Sequence, residues 1–90
     1  MKGSDSPSPL DISAERLLTR EQRRLCRAAI AAGHEHQSAF ASDHDLHPGM
    51  LSEVLNRERR PSARYATVLR ALLRTYLKRI RFTLSRTTDL

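Results

Sequence analysis

The chain has 90 residues and a formal charge of +6, which is one domain with tails, burying only about 60–65% of the surface its unfolded form exposes. So small a core leaves little room for a substrate pocket. The single cysteine, Cys26, excludes an internal disulfide framework, and no run approaches the roughly 18 apolar residues of a membrane span. A pI of about 10.7 points to polyanions, nucleic acid first.

Met1–Leu10 is polar and rich in Pro and Ser, the composition of a disordered tail rather than a secretory signal. With the lone cysteine it fits a reducing cytosol. The folded domain is expected over 11–82, followed by a tail over 83–90. Leu10–Leu18 reads as a helical lead-in capped by Asp11 and carrying Ile12, Leu17 and Leu18. Thr19 and Gln22 then have capping-box spacing and predict a helix over Arg20–Ala32, with Leu25, Cys26, Ala29 and Ile30 inside. Gly33 is expected to end it in the left-handed conformation. His36 or Gln37 opens a short helix with Ala39, Phe40 and Ala41, and Ser42–Leu46 is a polar turn. Pro48, preceded by His47, suits a first helical position, and Pro48–Asn56 buries Leu51, Val54 and Leu55. Arg57–Arg60 is a charged loop. Ser62 caps a last helix from Ala63 to at least Tyr76, whose stripe of Val68, Leu69, Leu72, Leu73, Tyr76, Leu77 and Ile80 has helical spacing. Beyond it, Ile80, Phe82 and Leu84 alternate with polar residues, which fits a short strand or a fraying continuation of the helix. The expected fold is an all-α, compact bundle of about five helices.

Within that order, the segment from Gln37 to Ser62 meets the requirements of a helix-turn-helix. Ala41 is the small residue where two helices cross, Leu46 points from the turn into the core, and Leu51 with Val54 or Leu55 anchors the second helix. The run Gln37-Ser-Ala-Phe-Ala41, then Leu46-His-Pro-Gly-Met-Leu-Ser-Glu-Val-Leu-Asn56, then Arg57–Ser62, resembles the phage-repressor (Xre-like) helix-turn-helix family without a gap in spacing. Two positions depart from that family: its turn glycine is Asp45, and its glycine after Asn is Arg57. The resemblance implies a phage- or prophage-related transcriptional regulator, of repressor type, that binds operator DNA as a homodimer. It also implies phosphate contacts from Gln37 and from the loop Asn56 to Arg60. The residues themselves agree for the loop, where Arg57, Arg59, Arg60 and Arg64 cluster and each can neutralise a phosphate. The base-facing positions are Pro48, Gly49, Met50, Ser52 and Glu53. Pro48 and Gly49 carry no side-chain donor, Glu53 can accept from cytosine N4, and Met50 or Pro48 can touch a thymine methyl.

Charge is unevenly spread. Gly33–Asn56 has no Lys or Arg and carries Glu35, Asp43, Asp45 and Glu53, whereas Arg57–Arg86 holds ten basic residues against Glu58 alone. The acidic stretch supports an alternative on the same fold, a protein-interaction module such as an inhibitor or antirepressor. His34, His36, His44 and His47 with Asp43 and Asp45 raise a metal site, but they straddle turns and lack zinc-ligand spacing, so no metal or other cofactor is expected. Cys26 reads as a small core residue. No glycine-rich phosphate loop or paired carboxylate supports an enzyme. Leu72, Leu73, Tyr76, Leu77 and Ile80 make a stripe wider than so small a core needs, and are expected at the homodimer interface.

Overall fold

The computed structural model describes residues 8–88, those from 82 onward as backbone. Four helices follow in order: α1 (Arg20–Gly33), α2 (Gln37–Asp43), α3 (Pro48–Leu55) and α4 (Ala63–Thr88). The expected tail Met1–Leu10 lies mostly outside the described residues.

The start of α1 is set by its predicted capping box. Thr19 Oγ1 accepts from Gln22 N–H at 3.1 Å, and Gln22 Oε1 accepts from Thr19 N–H at 2.9 Å. The other end differs from expectation. Gly33 is the last helical residue, and no described glycine has a positive φ. The chain leaves through His34 in extended conformation (φ −142°), whose N–H still donates to Ile30 O at 2.8 Å. That bond closes the last turn without a left-handed residue.

The lead-in 10–18 is not a helix, which reduces the expected five helices to four. Leu10 O and Ser13 O close short local turns, but two of its carbonyls are claimed from a distance. Gln22 Nε2 donates to Asp11 O at 3.0 Å, and Arg70 Nη1 donates to Ile12 O at 2.7 Å. Asp11 pairs with Arg16 rather than capping. The segment is a strap that delivers Ile12 and Leu18, both fully buried, to the core, while Leu17 turns to solvent. Gln22, the one buried polar residue among those described, is satisfied by the strap and the cap together.

The core joins Ile12 and Leu18 to Cys26, Ile30, Phe40, Leu51, Val54, Leu55, Leu69 and Leu73. α1 packs against each of the other three helices, and α2 packs on α3. Ser62 caps α4 as expected, its Oγ accepting from Tyr65 N–H at 3.4 Å. The alternation at Ile80, Phe82 and Leu84 does not make a strand: α4 continues unbroken past it, and past the expected domain end at 82, to Thr88. Once α4 is underway, each further residue adds a backbone bond without a new nucleation cost, whereas a lone strand would leave its bonds unmade. At 26 residues α4 is about 39 Å long, far longer than the 14-residue α1 it lies against. The radius of gyration, 14.0 Å, accordingly exceeds the roughly 12 Å of a compact chain this size. Among the described residues no helix is long and apolar enough to cross a membrane.

Candidate nucleic-acid interface

α2 and α3 are joined by a turn whose geometry follows from how α2 ends. Asp45 N–H donates to Ser42 O at 3.2 Å and Leu46 N–H donates to Ala41 O at 2.7 Å. This is the paired bonding of a Schellman motif, with Asp45 as its left-handed residue at φ 59°. The motif turns Leu46 inward, where it is buried, and Ala41 beneath it has no exposed surface at all. A larger residue than alanine there would hold the two helices apart.

α3 ends in the same way. Arg57 N–H donates to Val54 O at 3.2 Å and Glu58 N–H donates to Glu53 O at 2.8 Å, with Arg57 at φ 62°. Asp45 and Arg57 are therefore the two left-handed non-glycine residues among those described, and they occupy the two positions where the resemblance calls for glycine. The loop keeps its left-handed shape with arginine in it.

The start of α3 is held by His47 and Tyr65. His47 Nδ1 accepts from Gly49 N–H at 3.1 Å and from Met50 N–H at 3.3 Å, so the ring serves as the N-cap. The His47 N–H in turn donates to the Tyr65 hydroxyl at 2.8 Å, tying the turn to α4. Sequence reasoning placed His47 before the helix but did not give it this role, because histidine is not a usual cap.

Leu51, Val54 and Leu55 are buried as expected, which fixes the outward face of α3. Pro48 and Gly49 are exposed, and Met50, Ser52 and Glu53 are half-buried. Met50 leans on the core, and Ser52 Oγ accepts from Asn56 Nδ2 at 3.4 Å. Glu53 Oε1 accepts from Arg59 Nε at 2.5 Å, so the carboxylate is neutralised within the protein and Arg59 is partly occupied.

Of the expected phosphate contacts, Gln37 opens α2 and is half-buried, and Asn56, Arg57, Arg59, Arg60 and Arg64 are exposed. The Arg57 and Arg60 side chains make no hydrogen bond or ion pair among the described residues. Arg64 donates from Nη2 to His44 O at 3.2 Å. One residue at this edge was not foreseen. Arg27 of α1 donates from Nη2 to Leu55 O at 2.7 Å and to Asn56 Oδ1 at 2.5 Å, placing a cation on the last carbonyls of α3. The available signal was its place in α1, directly after Cys26 and so flanking the inner stripe.

Among the described residues no three of His, Cys, Asp or Glu are grouped to hold a metal ion. His34 Nε2 instead meets Asp43 Oδ2 at 2.8 Å, with its ring edge-on to Phe40 at 5.4 Å. Burial pushes the Cys26 thiol up to about 12, against a small opposing pull from Arg27, so it stays protonated at neutral pH. Leu73 is withdrawn from the exposed stripe. It is completely buried in its own chain because α4 turns Leu69 and Leu73, one turn apart, onto α1. Leu72, Tyr76 and Leu77 are half-buried and Ile80 is 37% exposed. Comparison with protein-family models, curated proteins and solved structures finds no match for this chain.

Proposed function

We propose that this chain is a sequence-specific DNA-binding transcriptional regulator of repressor type, phage or prophage related, acting in the bacterial cytoplasm on operator DNA as a homodimer. The observation that carries the reading is the pair of left-handed residues, Asp45 at φ 59° and Arg57 at φ 62°. Each closes a helix at the position where the helix-turn-helix pattern needs that backbone. That both keep this backbone without glycine supports the reading.

In this reading α3 enters the major groove. Glu53, Met50 and Ser52 supply what base selectivity there is, with Pro48 and Gly49 bringing the backbone close. Arg57 and Arg60 neutralise phosphates, joined by Arg59, Arg64, Gln37 and Asn56. The pairing of Glu53 with Arg59 fits this role, because it removes an anion that would otherwise repel the duplex. The second copy packs on the outer face of α4 through Leu72, Tyr76, Leu77 and Ile80, which places two recognition helices for two half-sites about one DNA turn apart.

A second reading, a protein-interaction module using the 33–56 face, is favoured by the Glu35 and Asp45 side chains, which are 89% and 93% exposed. A salt titration of binding to random duplex DNA separates the two. A DNA-binding protein shows a log–log slope of about −0.9 for each phosphate neutralised. No measurable binding at about 50 mM salt, where even weak non-specific association persists, favours the protein partner.

A further inference from the structure

A group of arginines gathers where α1 passes the end of α3. Arg20, Arg23 and Arg27 are three, then four, residues apart in α1, so they share one face of it. Arg27 reaches across to Leu55 O and Asn56 Oδ1, which fixes that face against the exit of α3. Arg57, the residue after Asn56, adds a fourth cation from a left-handed backbone. Arg23 lies among them. Its Nε is shielded from solvent and has no hydrogen-bond partner. Its guanidinium pKa is lowered, first by partial burial and then by the positive charges of Arg57, Arg27 and Arg20.

No ion pair among the described residues involves Arg20, Arg23 or Arg57. The ion pairs formed by Arg16, Arg59 and Arg64 leave Arg20, Arg23 and Arg57 without an acid, although Glu21 and Glu58 are neighbours in sequence. A protein that gathers cations, shields a donor among them and supplies no anion is arranged for an anion from outside. Arginine forks match phosphate oxygens two at a time, and such charge-assisted bonds are the strong kind. We propose that Arg20, Arg23 and Arg57, braced by Arg27, form a phosphate clamp that grips a backbone phosphodiester of duplex DNA beside the C-terminal end of α3. The clamp extends the arginine rim after α3 onto α1, outside the helix-turn-helix itself. It rests on the DNA-binding reading, since the phosphate it takes belongs to the duplex that α3 reads.

Arg23 is the diagnostic residue. The full chain, Arg23→Gln and Arg23→Lys are titrated with one random duplex over a range of salt, and the free proteins are melted in parallel. Arg23→Gln is expected to flatten the log–log slope by about 0.9 and to weaken all sequences alike. It should melt no lower than the wild type, because it removes a repelled charge. Arg23→Lys should keep the slope, since a point charge remains. Wild-type binding that Arg23→Gln leaves at the same affinity and slope overturns the clamp and leaves the DNA reading standing. An Arg23→Gln protein that loses binding because it melts well below the wild type also overturns it, Arg23 then being a support for α3. A wild-type protein that binds no duplex removes both.

Discussion

Arg57→Gly separates what the fold asks of residue 57 from what the proposed interface asks of it. Residue 57 closes a Schellman motif at φ 62°, where a Cβ is disfavoured. Relieving that conformation returns about 1–2 kcal/mol, offset by about 0.4–1 kcal/mol for the greater freedom glycine adds to the unfolded chain. The net gain lies between roughly 0 and 1.6 kcal/mol, about 0.8 kcal/mol at mid-range, or a melting temperature about 3–6 °C higher for a domain of this size. Arg57→Ala is the control, because it removes the charge and keeps the Cβ. Thermal melts of the three proteins should rank glycine above alanine, with alanine near the wild type. In a salt titration on random duplex, both variants should lose the same slope, about 0.9, since both lose one phosphate contact. Glycine melting at or below alanine would refute the assignment of strain at this position. Equal slopes in all three proteins would refute Arg57 as a phosphate contact.

Four other outcomes follow from the structure. Leu51 has no exposed surface, so Leu51→Ala should cost about 2–5 kcal/mol in chemical denaturation, and a near wild-type midpoint would mean that α3 is turned the other way. Gly33 sits in α1 with nothing within 4 Å of an added Cβ, so Gly33→Ala should raise stability by about 0.5–1 kcal/mol, read as a shift in melting temperature. Cys26 is held protonated up to about 12, whereas an unfolded thiol titrates near ~8.5; its contribution is therefore whole below the lower value and lost as pH rises between the two, by up to about 1.4 kcal/mol per unit. Cys26→Ala should flatten that alkaline decline, as seen in melts across pH. Ile80→Glu places a charge on the exposed outer face of α4, so the proposed homodimer through that face predicts a lower mass in sedimentation than the wild type, with the melting temperature of the monomer unchanged.

Some of this was legible in the residues alone. The spacing of Thr19 and Gln22 marked the start of α1, and Pro48 marked the start of α3, because capping chemistry is local. Ala41, Leu46 and Leu51 marked the packed angle between α2 and α3, because a close crossing needs a small residue and flanking apolar ones. What depended on distant partners was not legible. Residues 10–18 carry a helix-like pattern, yet Gln22 and Arg70 claim two of their carbonyls, Asp11 O and Ile12 O, from other parts of the chain. Gly33, at the end of α1, is not left-handed, because the chain leaves through His34 in extended conformation; Asp45 and Arg57 are, at the positions the family resemblance marks for glycine. Leu72 and Leu73 are equivalent as sequence, and only the rotation of α4 on α1 buries Leu73 rather than its neighbour. Arg27 at the end of α3 could not be found from composition, since its partners lie 28 and 29 residues away.

The central proposal, sequence-specific recognition of duplex DNA, is tested most directly by selection from a random duplex pool by the full chain at fixed salt. The account predicts enrichment of one motif, with two related half-sites centred about 10 base pairs apart. A bound pool that is recovered but shows no enriched sequence, or no recovery of duplex at all, would contradict it.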